Sequence, residues 1–338
     1  MQHDHIKHLV CPGTDHEFGL APGFREAEGE ICEGELICPF DGRRVPIRNS
    51  IPRFHEDGEY VSTFGEQWNR FRRTQIDKFN GTTLSRDRFY AGIGWRTEEL
   101  KGARVLEVGC GAGRFTQILL DAGALVYAVD YSSAVDACFA NHGPHPNLCV
   151  IQADLYRMPF RRGSFEFVFC YGVLQHTPDP QAAFMSLVPF LRSGGRLAID
   201  VYRKGWEIAP HKSKYPYRSF TRRLPRDLLF RIIQWYVPKW LPFDTFIKRI
   251  PGVGPAMGML IPCWNYSYLP LTKEQRIEWG ILDTFDALAS EYDSPQTLEA
   301  VQSWFREAGL EDISVRPGGN GILGNGRVSQ ATQPLSTC

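Results

Sequence analysis

Residues 103–115, Ala-Arg-Val-Leu-Glu-Val-Gly-Cys-Gly-Ala-Gly-Arg-Phe, constrain this 338-residue chain more than any other stretch. Val105, Leu106 and Val108 form the short apolar run of a strand buried in a parallel sheet. Gly109, Gly111 and Gly113 then break the run. Without a Cβ they let the backbone take positive φ and let a ligand come close to the main chain. A strand that ends in such a turn and continues as a helix is the unit of a doubly wound α/β fold, whose ligands sit outside the carboxyl ends of the strands. The dinucleotide fingerprint G-x-G-x-x-G needs a small residue at position 114, where Arg114 stands. A nicotinamide-dependent oxidoreductase is therefore disfavoured.

Four more segments follow at helix-length intervals. Val126–Asp130 ends in a carboxylate, and Val150–Leu155 contains Asp154. Phe165–Cys170 leads into Tyr171-Gly172-Val173-Leu174-Gln175-His176-Thr177-Pro178-Asp179-Pro180, and Arg196–Tyr202 follows the turn Ser193-Gly194-Gly195. This ordered set resembles the class I S-adenosylmethionine-dependent methyltransferases over roughly residues 59–203 and again from 293. The resemblance implies an α/β fold with a doubly wound, seven-stranded mixed sheet of order 3-2-1-4-5-7-6, a small β-rich N-terminal module and a helical lid insertion. It also implies S-adenosyl-L-methionine as cofactor. The implied binding residues are Glu107, Gly109, Gly111, Gly113, Asp130, Tyr131, Asp154, Leu155 and Cys170, with Gln67 from the helices before the first strand. Asp130 is expected to accept both ribose hydroxyls and Asp154 to meet the adenine amino group.

Transfer from a sulfonium asks mainly for alignment of nucleophile, methyl and sulfur. A base is needed only for a protonated nucleophile. His176 is the candidate, since it follows the fourth strand and accepts a proton near neutral pH. Tyr171, Tyr202 and Asp286 are weaker alternatives, and the alternative role for His176 is to orient backbone.

Five segments are expected: 1–58, a degenerate zinc-ribbon-like module; 59–100, a helical segment covering the cofactor; 101–203, the cofactor-binding core; 204–292, an aromatic and basic insertion; and 293–338, the last helix and two strands. The first resembles zinc ribbons that hold metal with two C-x-x-C knuckles. Here Cys11-Pro12-Gly13-Thr14 and Cys38-Pro39-Phe40-Asp41 each keep one cysteine, and Cys11, His16, Cys32 and Cys38 lack a familiar zinc spacing. A metal-free ribbon is expected. Nine cysteines spread through strands and loops point to reduced thiols and a cytoplasmic location. No secretory signal and no bilayer-spanning run is visible.

In the second segment Tyr60, Phe64, Trp68 and Phe71 recur at helical spacing, and Tyr60, Gln67 and Trp68 are candidate lining residues. Lys plus Arg equal Asp plus Glu over the chain, yet residues 203–250 hold twelve cations against Glu207, Asp227 and Asp244. Aromatic residues interleave them, and prolines are expected to break the stretch into short helices, with one over residues 228–237. Three readings stay open for this insertion: a packing face with solvated charges, a pocket for an anionic acceptor, and an amphipathic surface on anionic membrane. Nucleic acid is not expected, for no binding module accompanies the charges. A last helix is expected to start with Ser294 as cap and to stop at Gly309. The sixth strand is then expected at Asp312–Arg316 and the seventh at Gly326–Ala331. The function expected is methyl transfer to a small-molecule or lipid-linked, anionic acceptor. The alternative is a non-catalytic cofactor-binding protein whose insertion recognises a partner.

Overall fold

The computed structural model describes residues 1–55, 62–204, 214–251, 254, 257 and 260–330. A one-turn helix α1 (His3–Ile6) precedes a small antiparallel sheet of β1 (Gly19–Leu20), β2 (Arg25–Ala27), β3 (Glu30–Ile37), β4 (Arg44–Arg48) and β5 (Ile51–Pro52). Its strands run β1-β3-β4-β5, with β2 on the free edge of β3. Four helices follow: α2 (Ser62–Arg70), α3 (Asp77–Asn80), α4 (Leu84–Ile93) and α5 (Thr97–Leu100).

The central sheet begins with β6 (Arg104–Val108), α6 (Thr116–Asp121), β7 (Leu125–Asp130), α7 (Ala134–His142), β8 (Leu148–Gln152) and β9 (Phe165–Tyr171). After β9 come α8 (Pro180–Leu187), β10 (Leu191–Val201), α9 (Lys214–Thr221), α10 (Arg226–Ile247), α11 (Lys273–Ala289), α12 (Leu298–Glu307), β11 (Glu311–Gly318) and β12 (Gly321–Arg327). The strands lie in the order β8-β7-β6-β9-β10-β12-β11. The first five are parallel, and β12 runs antiparallel to both neighbours.

Both faces of this sheet are buried, and that accounts for its near-continuous apolar strands. Leu106, Val108, Tyr127 and Val129 point into one core with Phe184, Trp304 and Phe305, whereas Val105, Val126 and Ala128 point into another with Phe89, Ile93 and Leu119. The N-terminal sheet joins the first core through Leu9, Ile31, Leu36, Val45 and Ile47. It also covers the β8 edge. Arg53 bridges to Gln152, Leu9 to Phe160, and the Arg53 guanidinium holds Asp136 at 2.6 Å.

Four expectations change. The seventh strand is Gly321–Arg327, earlier than Gly326–Ala331, and Ala331 lies outside the described residues. Its glycines look like a loop in sequence, but a Cβ at Gly324 or Gly326 would come within 2.7 or 2.8 Å of the Phe305 ring. The last helix starts later than expected. Thr297 caps it, its Oγ1 accepting from Ala300 N at 3.2 Å, while Ser294 donates its N–H to the Gln175 carbonyl. The prolines of the insertion do not break it into short helices, for α10 runs 22 residues through Pro238 and Pro242. Burial of Leu229, Ile233, Val237 and Leu241 against Ile281, Leu282, Phe285 and Leu288 of α11 outweighs the lost backbone bonds. Finally, Cys11 and Cys38 form a disulfide rather than two reduced thiols, because the two half-knuckles converge. Asp41 stands beside the pair, His16 stacks on Phe40 instead, and Cys32 turns to the Glu30 carbonyl. Among the described residues no helix is long and apolar enough to cross a membrane.

Candidate functional site

The turn after β6 is built as its glycines require. Gly109, Gly111 and Gly113 have φ of 76°, 52° and 87°. A Cβ on Gly109 would strike Val173, and one on Gly113 would strike His142, so both also fit tight surroundings. The Trp68 ring of α2 covers Gly111, with a Cβ there meeting Cε2 at 3.4 Å. Asn69 Nδ2 fixes α2 by donating to the Ser133 carbonyl at 2.9 Å.

Asp130 ends β7 with its carboxylate turned to this loop. Oδ2 accepts from Gly111 N at 2.9 Å, and Oδ1 accepts from Ser132 N and Oγ at 2.9 and 2.7 Å. Glu107 is 2 % exposed and accepts the Thr116 hydroxyl proton at 2.6 Å. Burial, followed by the neighbouring Asp130 charge, pushes its carboxyl up to about 8, so at neutral pH it is chiefly a neutral brace between β6 and α6. His142 braces the other side, its ring Nε2 lying 2.9 Å from the Gly113 carbonyl. Burial lowers its pKa to about 4, so the ring is neutral, with Nε2–H as the donor.

The remaining expected cofactor residues are placed variously. Tyr131 stacks on His55 with ring centroids 4.0 Å apart. Asp154 Oδ1 accepts from Tyr156 N at 2.9 Å, and Leu155 packs partly on the core. Cys170 is wholly buried on the core face of β9, where desolvation holds its thiol well above the ordinary range. Gln67 is 3 % exposed and points at α11, donating to the Leu282 carbonyl at 3.5 Å, while its Oε1 has no partner among the described residues. Tyr60 lies outside the described residues.

His176 closes a single 3-10 turn after β9. Its Nδ1 stands 3.0 Å from the Tyr292 carbonyl. A carbonyl only accepts, so Nδ1 carries the proton and Nε2 is the basic nitrogen. Nε2 lies 4.0 Å from Asp286 Oδ2 of α11, and the ring meets Tyr202 edge-on at 5.4 Å. Tyr202 is kept a phenol by burial and then by Asp286, Asp293 and Asp283. Tyr171, by contrast, presses its hydroxyl toward Gly92.

Several site residues escaped the sequence reading. Gln175 is fully buried, and neither of its amide atoms has a partner among the described residues. Asp200 accepts from Gly172 N at 2.8 Å and pairs with Arg88 at 2.6 Å. Asp283, raised to about 6 by burial, accepts from Tyr266 and from Gln75 Nε2. Arg114 fills the same region, held by Ser85 Oγ at 2.9 Å and Gln75 Oε1 at 2.8 Å. A polar residue interrupting an apolar strand, as Asp200 does, was the available signal; for the others only tertiary packing reveals the role.

Residues 106–199 match a family described as methyltransferase domain. This stretch is similar to methyltransferase domains. Its implied methyl donor is S-adenosylmethionine. Over 109 residues the chain is 32 % identical to a ubiquinone biosynthesis O-methyltransferase of Xanthomonas oryzae pv. oryzae, covering 31 % of this chain and 46 % of that protein. A protein of the same name from Coxiella burnetii is 29 % identical over 110 residues, 32 % of this chain and 47 % of that one. The chain thus spans about half the length of the curated relatives it matches. A solved complex of a Haloferax volcanii methyltransferase activator with a methyltransferase aligns at 13 % identity and TM-score 0.46, over 81 % of this chain and all of that one. An S-adenosylmethionine-dependent methyltransferase from Aquifex aeolicus aligns at 14 % and 0.41, over 82 % and all of it.

The matched stretch contains Glu107, the three glycines, Asp130, Asp154 and His176, whereas Gln67, Asp283 and Asp286 lie outside it. The donor set fits the cofactor. Gly172, with φ 74°, has open space where a Cβ would stand, and the partnerless Gln67 oxygen supplies a buried acceptor.

Proposed function

We propose that this chain is an S-adenosylmethionine-dependent methyltransferase acting on a hydroxyl of a small-molecule or lipid-linked acceptor. The bound cofactor supplies a methyl group already activated by its sulfonium. Asp130 and the glycine turn hold the ribose, Asp154 the adenine and Trp68 the cover. The observation that carries the hydroxyl assignment is the pairing of His176 with Asp286. Tyr292 fixes the imidazole tautomer so that Nε2 takes the acceptor proton, and the Asp286 carboxylate stabilises the imidazolium that forms. An amine that is already neutral would not need this arrangement. The curated relatives, named as O-methyltransferases, agree with a hydroxyl acceptor.

An anionic acceptor has less support. Lys214 pairs with Asp293, Arg218 donates to the Ala287 and Ser290 carbonyls, and Lys248 holds Asp244. These three cations of the insertion are engaged within the fold, and Asp286 brings negative charge toward His176. No charge requirement is therefore placed on the acceptor.

Calorimetry and a turnover assay with phenolic and alcoholic acceptors test the assignment. Asp130→Ala is expected to weaken cofactor binding by about 1.5–3 kcal/mol. His176→Gln should leave that affinity intact and lower kcat roughly 100-fold or more. Full turnover in His176→Gln would remove the base, and absence of cofactor binding by the parent would remove the function.

A further inference from the structure

Helix α10 is apolar on both sides. Its inner stripe packs on α11, but its outer stripe carries Leu228, Ile232, Trp235, Phe243 and Phe246, the last three 66 %, 63 % and 68 % exposed. Residues 228, 232, 235, 239, 243 and 246 follow the three-to-four spacing of a single helix face about 30 Å long. Single exposed apolar residues are ordinary, whereas a continuous row of this size marks an interaction surface.

The charges on that face have one sign. Arg231, Lys239 and Arg249 are exposed along it. The helix has only two carboxylates: Asp227 lies in the first turn, and Asp244 is buried, bound to Lys248 and to Asn265 Nδ2 at 2.6 Å. Lys239 Nζ sits 3.9 Å above the Trp235 ring, an aromatic and an ammonium stacked at one level. The patch continues at the start of the helix, where Phe220 is 64 % exposed and Arg222 and Arg223 are exposed beside it.

We propose that this outer face of α10 binds an anionic phospholipid surface, with the helix lying parallel to the membrane. The inference goes beyond methyl transfer and does not depend on it. Trp235, Phe243 and Phe246 enter the headgroup boundary while the arginines and Lys239 reach lipid phosphates, the division of labour of an interfacial helix. A second copy of the chain is a poor occupant, since a two-fold contact would bring the cations of one face against the same face of the other copy, with no carboxylate on either to answer them.

Flotation of the full chain with phosphatidylcholine vesicles, alone or mixed with phosphatidylglycerol, tests this. Binding to the mixed vesicles, weakening with salt as exposed charges are screened, is expected, together with a blue shift in tryptophan emission. Phe243→Ser with Phe246→Ser, and separately Arg231→Glu with Lys239→Glu, should each reduce binding at least about tenfold. Because these side chains are exposed, melting temperature and cofactor affinity should stay unchanged, which separates loss of docking from loss of fold or of the methyltransferase site. The proposal is overturned if the parent does not float with mixed vesicles, if the charge-reversed variant binds as well as the parent, or if the phenylalanine substitutions abolish only a concentration-dependent dimer.

Discussion

Glu107 shows how one buried proton sets the behaviour of a turn. Folding raises its carboxyl from the ordinary 4.5 to about 8. Between those values the native chain holds a proton that the unfolded chain has released, so its contribution is fully present at lower pH and is lost as pH rises through 8. Glu107→Gln keeps the shape and the acceptor for Thr116 without the titration. The variant should melt close to the parent near pH 4.5 and clearly above it near pH 8, as read by calorimetry at both values; parallel melting curves would mean that Glu107 is ionised in the native state. Glu107, the glycines and Asp130 could be singled out because they lie in strand-ending patterns that sequence displays, and the structure places them together at the end of β6 and β7. His176 could be singled out for the same reason, since it follows the end of β9. Gln175 and Asp283 could not be, because Gln175 stands out only by its burial and Asp283 by its burial and its partners Tyr266 and Gln75, which arise only on tertiary packing.

At the scale of elements, the parallel strands were readable from apolar runs bounded by glycine or carboxylate, and the errors cluster where packing overrides local preference. The β12 glycines are a case in point: 324 and 326 are small because the Phe305 ring of α12 lies on them. Gly324→Ala should cost about 1–3 kcal/mol, since the new methyl overlaps the ring. Urea denaturation checks this, and Phe305→Leu in the Gly324→Ala background should return part of the loss. Unchanged stability in Gly324→Ala would mean the ring moves freely. In α10 the opposite happened. Pro238 and Pro242 predicted breaks, but neither proline weakens the apolar contact with α11 that keeps the chain helical.

For the whole molecule, the N-terminal sheet is bound to the main sheet by a shared core and to itself by the Cys11–Cys38 disulfide. Closing a loop across 27 positions removes conformations from the unfolded chain and contributes about 3 kcal/mol. Cys11→Ala with Cys38→Ala should lower the unfolding free energy by that amount, read from the shift in the urea midpoint, and a reductant should destabilise the parent but not the double variant. Elemental analysis of protein purified without reductant should find well under one zinc per chain. One zinc per chain, lost in the double variant, would replace the disulfide by a metal site.

The contact between Leu9 and Phe160 joins positions 151 apart. During synthesis, residues 1–55 leave the ribosome about 100 residues before their partner, a wait of roughly 5–20 s at about 5–20 residues per second. Throughout that interval the inner side of the small sheet has no strand to cover, and its apolar residues are open to other chains or to chaperones. Lower expression temperature and slower translation are therefore expected to change the yield of this protein, a result that comparison of soluble yield at two temperatures checks.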